Sequence, residues 1–474
     1  MALHKRVRML IFVAVGAAAG CARVTVPSPV ANSPSGSQTT SEIQFHRLEN
    51  GLRVALSRDT TVPLARIGLY YDVGSRDEPR GRAGFAHLFE HYMFEGSAQL
   101  GPGEFFQLVV SNGGRFGART LYDFTKYTTT VPTNALELIL WAEADRMRGL
   151  RFSQERLDAV RATVKSEVRQ QAFNRAYGRF VWIDLPEIAE TRWENSHSIY
   201  GDTPDQRMDP LDSASVADAR EFFRTYYSPA NAVLAIDGNI DAAAVMAMVR
   251  RHFGDIPPGP ARPRASIDEP RQLEERRQVV ADRNAPRPAL AIGYHSPPRR
   301  SPDFWPMLVI THLLMDGRDS WMYEEVTRSG MTDWVYGGVS ARHGSIYTTD
   351  GPNFWSAYTF HDASVSADSL LVAMDRVIER LRREPLDDTT LGRAITKARA
   401  DYFGQWSQGF GEGRLDMLAQ FALFDDAPER LNSFDRELRQ ITAADVHRAA
   451  REWLRPGNRT VVFLRPAGAG GSSR

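Results

Sequence analysis

The sequence predicts an α+β fold of two homologous domains, each a mostly antiparallel sheet with helices packed on one face. Three observations carry this. First, Tyr226-Tyr227-Ser228-Pro229-Ala230-Asn231 and Trp453-Leu454-Arg455-Pro456-Gly457-Asn458 lie 227 positions apart. Second, Ala219, Phe222, Phe223, Tyr226 and Tyr227 match Val446, Ala449, Ala450, Trp453 and Leu454 at that same offset. Both sets follow the spacing of a helix with one buried face. Each helix stops before a proline and leads into an apolar strand, 233–236 and 461–464. Third, Ile256-Pro257-Pro258-Gly259-Pro260-Ala261-Arg262-Pro263 forbids helix and central strand between the copies. The predicted division is therefore a first domain at 43–257, a linker at 258–275 and a second domain at 276–467, with a flexible tail at 468–474.

The chain before residue 43 reads as an export segment. Lys5, Arg6 and Arg8 precede an apolar run at 9–19, shorter than the roughly 20 residues a spanning helix needs. The run ends in Ala18-Ala19-Gly20-Cys21, which resembles a bacterial lipobox. Residues 1–20 are thus expected to be a lipoprotein signal, with Cys21 the lipidated residue. Cys21 is the only cysteine, so no internal disulfide is available. The Pro-, Ser- and Thr-rich stretch 21–42 reads as a flexible tether. The expectation is an exported, cell-envelope lipoprotein facing the periplasm and held to the membrane by a lipid anchor.

Within the first domain, 43–48 and 52–56 flank Asn50-Gly51 as a β-hairpin, and 67–73 is a further strand. Helices are predicted at about 84–95, 134–148, 153–172 and 214–227. In the second, Thr442 caps a helix running to Leu454. A 42% share of hydrophobic residues is ample for buried cores. Lys+Arg and Asp+Glu both number 58, which excludes nucleic-acid capture by net charge.

His87-Leu88-Phe89-Glu90-His91 carries the chemistry. On a helix, positions i, i+3 and i+4 share one face, so both imidazoles can grip one metal ion while Glu90 stands beside it. This is the H-x-x-E-H order of the inverted zinc peptidases. Phe85, Leu88, Phe89 and Tyr92 supply the helix's apolar stripe. A catalytic zinc usually has three protein ligands and one open position. Helix 153–172 offers Glu167, three residues past Val164 on a stripe with Leu157 and Val160, where a carboxylate is costly unless it is paired or bound to metal.

With Glu167 following His91 by 76 residues, the chain resembles the pitrilysin/insulinase metallopeptidases, in the shorter branch that includes mitochondrial processing peptidase. The likeness also rests on Asp72-Val73-Gly74-Ser75-Arg76-Asp77-Glu78-Pro79, Ser111-Asn112-Gly113-Gly114, Asp123-Phe124-Thr125-Lys126-Tyr127, Tyr227-Ser228-Pro229-Ala230-Asn231 and the duplication itself. It implies one Zn2+ per chain held by His87, His91 and Glu167, with Glu90 as catalytic general base in peptide-bond hydrolysis. Arg328 and Tyr336 match the family's substrate-binding Arg–Tyr pair, at a spacing one residue longer. Val160 stands where the family often has a supporting glutamate, and Gly117 where it has an asparagine that helps hold the substrate peptide. Long members close four such domains around their substrate, so two domains imply half a shell. The expected partners are a short or unfolded peptide and a second copy or sister chain, as homodimer or heterodimer. The alternative is a catalytically weak or inert partner subunit of such a heterodimer. His197, His252, His295, His312, His343, His361 and His447 show no ligand spacing, and the charge-mixed stretch 271–283 reads as a solvated segment.

Overall fold

Strands β1 (Ile43–Arg47) and β2 (Arg53–Arg58) pair antiparallel around the predicted turn, where Gly51 takes a positive φ of 87° and the Asn50 amide donates to the carbonyls of Phe253 and Ile256. The computed structural model describes residues 41–197, 208–263, 266–341 and 344–467. The expected signal, Cys21, nearly all of the tether, and the tail lie outside these residues.

The first sheet adds β3 (Leu64–Tyr71), β4 (Arg115–Thr120), β5 (Thr125–Pro132) and β6 (Ala232–Gly238), in the order β1-β2-β6-β3-β5-β4. The second contains β7 (Arg276–Asp282), β8 (Ala289–Ser296), β9 (Tyr336–Val339), β10 (Asn353–Phe360) and β11 (Arg459–Pro466), in the order β7-β11-β8-β10-β9. Apart from β1, the two orders are the same. In each sheet one pair is parallel, β2 with β6 and β7 with β11, and the others are antiparallel. The registers repeat as well: Arg53 faces Val233 as Arg276 faces Thr460, and Ile67 faces Ile236 as Leu290 faces Phe463. The duplication read from the sequence is thus a duplication of structure.

Helices α1 (Phe85–Tyr92), α2 (Glu104–Ser111), α3 (Leu136–Arg148) and α4 (Gln154–Val168) belong to the first half. Their apolar faces, with Phe222 and Tyr226 of helix Val216–Tyr226, pack on Leu56, Ile67, Leu69 and Leu234 in one core. The opposite face of this sheet is covered from the second half. Helix Glu412–Phe424 lays Leu415 and Leu418 into a core that includes Tyr70, Val233 and Ala235, and its Asp416 accepts from Tyr70 Oη (2.5 Å) and Lys126 Nζ (2.7 Å). Reciprocally, Phe180, Val181 and Leu185 of the first half pack on Ala289, Ala291, Val462 and Leu464 of the second sheet. Each half thus lends a helical segment to the other's exposed sheet face.

The stretch 271–283, expected to be solvated, contains edge strand β7. Its side chains are exposed or half-buried, as expected of a solvated stretch, while its backbone pairs with β11, so mixed charge on an edge strand hid the strand.

Candidate metal centre

Helix α1 begins without a side-chain cap, because its N-cap is Gly84 at φ +89°. A carboxylate from outside replaces it: Glu78 accepts from the backbone N–H groups of Gly84 and Ala86, both at 2.8 Å. A negative group at a helix N-terminus satisfies orphan donors and complements the helix dipole. Tyr127 Oη, 3.2 Å from Tyr227 Oη, donates to the Phe89 carbonyl, also at 3.2 Å. Phe85, Leu88, Phe89 and Tyr92 are buried as predicted.

The opposite face of α1 carries His87 and His91, the candidate metal ligands. Nε2 of His87 and Nε2 of His91 are 3.4 Å apart; Oε2 of Glu167 is 3.7 Å from the first and 3.4 Å from the second. A tetrahedral ion bound at 2.0–2.1 Å by nitrogen and oxygen holds its ligand atoms about 3.3–3.4 Å apart. Two of the three separations match that spacing and the third is about 0.3 Å longer, so the three atoms are grouped as such an ion requires, and among the described residues they are the group of this kind. Burial, then the neighbouring His91, pushes the His87 pKa well below the ordinary imidazole range, against the pull of Glu167. A neutral imidazole is the form that binds metal.

Glu167 differs from its sequence reading in one respect. The buried stripe of α4 runs Leu157, Val160, Val164, Val168, and Glu167 lies at its edge with its side chain 40% exposed. Burial cost therefore does not explain its pairing; proximity to α1 does. Val160 is in the core, so that position faces packing. Glu90 accepts from the N–H of Thr120 at 2.6 Å, and Thr120 Oγ1 donates to the Ala86 carbonyl at 3.3 Å. The end of β4 thus fixes one oxygen of Glu90. At Gly117, in the same strand, a side chain would begin in ordinary contact with Thr128 Oγ1, 3.6 Å away, without a clash.

The second-half pair is not drawn together. Arg328 is exposed and pairs with Glu324 at 2.6 Å; Tyr336 stacks on Tyr358, ring centroids 5.5 Å apart. Sequence reasoning missed His197, which is buried against Glu78. No spacing signal could have found it, because the partners are 119 residues apart.

Fold and site together define a class: a duplicated α+β scaffold carrying one His–His–Glu tripod beside a glutamate on the same helix. The profile described as "Insulinase (Peptidase family M16)" matches residues 53–182, and the one described as "Peptidase M16 inactive domain" matches 213–398. The zinc protease PqqE of Helicobacter pylori is 24% identical over 432 residues, 88% of this chain and 92% of that protein. The solved structure of a protease from Helicobacter pylori superposes with TM-score 0.81 at 22% identity, covering 90% of this chain and 100% of that one. The periplasmic protease PqqL from Escherichia coli gives TM-score 0.69 at 18% identity, covering 92% of this chain but 48% of that one. The chain belongs to the pitrilysin/insulinase peptidase family, M16.

Proposed function

We propose that this protein is a zinc-dependent endopeptidase acting on short or unfolded peptides. The observation that carries the reading is the tetrahedral spacing of His87 Nε2, His91 Nε2 and Glu167 Oε2 beside Glu90. Zinc in a three-ligand site supplies a water acidified to near neutrality and a Lewis acid for a carbonyl oxygen. Glu90, with Oε2 tied to the Thr120 N–H, has Oε1 available to take a proton from water as general base and deliver it to the leaving amine. β4, at the sheet's free edge, offers backbone groups to an extended peptide next to Glu90. Arg328, held by Glu324, and Tyr336 are assigned only an auxiliary role in substrate binding.

The first domain, 43–257, carries the zinc and the second, 276–467, closes over it, with 258–275 as the linker. We place the protein on the exported side of a bacterial envelope, anchored through Cys21, on the strength of its lipobox-like segment. This chain spans about half of the periplasmic PqqL chain, which supports pairing with a second copy or a sister chain. An inert-subunit reading draws on the description of the profile at 213–398, but that match contains none of His87, Glu90, His91 and Glu167. The decisive experiment measures zinc content and peptide cleavage for wild type, Glu90→Gln and His91→Ala. Glu90→Gln should keep one zinc and lose about 10²–10⁴ in kcat; His91→Ala should lose both. Normal turnover by Glu90→Gln would refute the mechanism.

A further inference from the structure

A cavity of about 600 Å³, within the size range of small-ligand sites, is lined by residues that follow in sequence from both elements of the metal centre. Both elements that build the centre lead into it. Arg119 lines it and immediately precedes Thr120, whose N–H holds Glu90. Gln171 also lines it and lies four residues beyond Glu167, in the π-helical turn Arg169–Phe173 that continues α4. The cavity is thus lined by residues that continue both elements carrying Glu90's partner and Glu167.

Its chemistry is of two kinds. Tyr122, Phe180, Trp182, Tyr358 and Phe360 give it an aromatic wall, with Trp182 38% exposed. Arg119 and Arg175, both exposed, bring two guanidinium groups to the same cavity. Among the described residues neither makes an ion pair with a carboxylate of the chain. Arg119 Nη2 reaches 3.9 Å from where a side chain on Gly344 would begin, so it spans from the first half to the second. Elsewhere in the molecule arginines are paired as a rule: Arg66 and Arg414 with Asp237, Arg299 with Asp425, and Arg262 with Asp72 and Asp77. Two arginines without a carboxylate, over an aromatic floor, are complementary to an anion attached to an apolar group.

Building on the peptidase reading above, we propose that this cavity is a specificity site for a peptide residue that presents a bulky apolar side chain together with a carboxylate, gripped by Arg119 and Arg175. The carboxylate can belong to a neighbouring acidic side chain or to the peptide's own C-terminus.

The test uses the full chain loaded with zinc and matched fluorogenic peptides with Phe-Glu or Phe-Gln beyond the cleaved bond. A second set ends there in a free acid or an amide. Wild type should favour the acidic member by on the order of tenfold in kcat/KM, as for a charge-assisted hydrogen bond. Whichever set discriminates identifies the source of the carboxylate. In the double variant Arg119→Gln, Arg175→Gln the ratio should fall to within about twofold, and Arg175→Glu should favour a Phe-Lys peptide. Binding of the same peptides to Glu90→Gln protein, followed by tryptophan fluorescence, gives a readout independent of turnover. Discrimination in binding without any cleavage would sustain the pocket and overturn the peptidase reading. Cleavage with equal rates for acidic and neutral peptides, or a ratio unmoved by the arginine substitutions, overturns the pocket and leaves the peptidase reading standing.

Discussion

Nε2 of His197 lies 3.1 Å from Oε2 of Glu78, and both side chains are sealed from solvent. The other ring nitrogen, Nδ1, faces the Trp193 carbonyl at 2.6 Å and must donate to it. With Trp193 stacked on the imidazole at 3.9 Å, the ring is fixed in place and orientation. Glu78 accepts at the same time from the first amides of α1. Burial pushes its pKa up, and the bond from His197 pulls it back. The short helix Trp193–Ser196, ending at His197, is thus bolted through one carboxylate to the start of the helix that carries His87 and His91.

His197→Ala should therefore reach the metal. Removing one partner of a buried pair costs about 3–5 kcal/mol, because the remaining charge is stranded. We expect that loss in urea unfolding of the metal-free protein. We also expect roughly tenfold weaker zinc binding, the scale on which supporting residues act. Glu78→Gln keeps one acceptor for the helix amides and should cost about 1–2 kcal/mol. Wild-type stability and zinc affinity in His197→Ala would show that the pair does not position α1.

Which parts of this centre could be read from sequence follows from the range of the interactions. His87, Glu90 and His91 share a helical turn, so their juxtaposition is written in three and four residue steps. The hairpin at Asn50-Gly51 and the Thr442 cap, which closes a capping box with Asp445, are equally local. Glu167, 76 residues further on, is offered by its place three residues past Val164 on a helical stripe and then by the family resemblance; it lies at that stripe's edge. The Glu78–His197 bond and the exchanged segments around Leu185 and Leu415 are illegible in the sequence. An amphipathic stripe says that a face is covered but not by what.

The exposure of Glu167 separates binding from stability. Because its side chain is 40% exposed, Glu167→Ala should change the metal-free protein's stability by no more than about 0.5 kcal/mol. Zinc affinity should fall more than about 100-fold, beyond what loss of a supporting residue produces. Equilibrium dialysis against a competing chelator, alongside thermal unfolding without metal, checks both halves. A large loss of stability without metal would mark Glu167 as a structural residue instead.

Acid dependence should carry the signature of Asp77. Burial first, and then Asp72, push its pKa from 3.8 up to about 6, against the attraction of Arg262. A carboxyl raised in the folded state binds its proton more tightly there than in the unfolded chain. Between about pH 4 and pH 6 the native state thus holds more protons, and stability falls as pH rises through that window, then levels. The group's share is on the order of 2–3 kcal/mol. Asp77→Asn should remove that share of the slope, measured by denaturant unfolding at half-unit pH steps. An unchanged slope would place Asp77 at an ordinary carboxylate pKa.

The two copies of the repeat offer the sharpest contrast. Asn231 Nδ2 donates to the carbonyls of Asp72 (3.2 Å) and Tyr226 (2.9 Å); Asn458 Nδ2 donates to those of His295 (2.9 Å) and Trp453 (2.6 Å). Each asparagine ties a helix end to the end of a neighbouring strand, and each is buried. Replacing either with alanine leaves two carbonyls without their donor, so both variants should lose about 1–3 kcal/mol. Sharing no partner, they should combine additively within about 0.5 kcal/mol. Their effects on zinc should differ. Asn231 anchors the turn after Tyr227, whose hydroxyl meets Tyr127 Oη, which in turn holds the Phe89 carbonyl of α1. Asn458 has no such route in its own surroundings. Weaker zinc binding in Asn231→Ala with unchanged binding in Asn458→Ala is the expected result; equal effects would mean that the tyrosine chain does not connect the repeat to the metal centre.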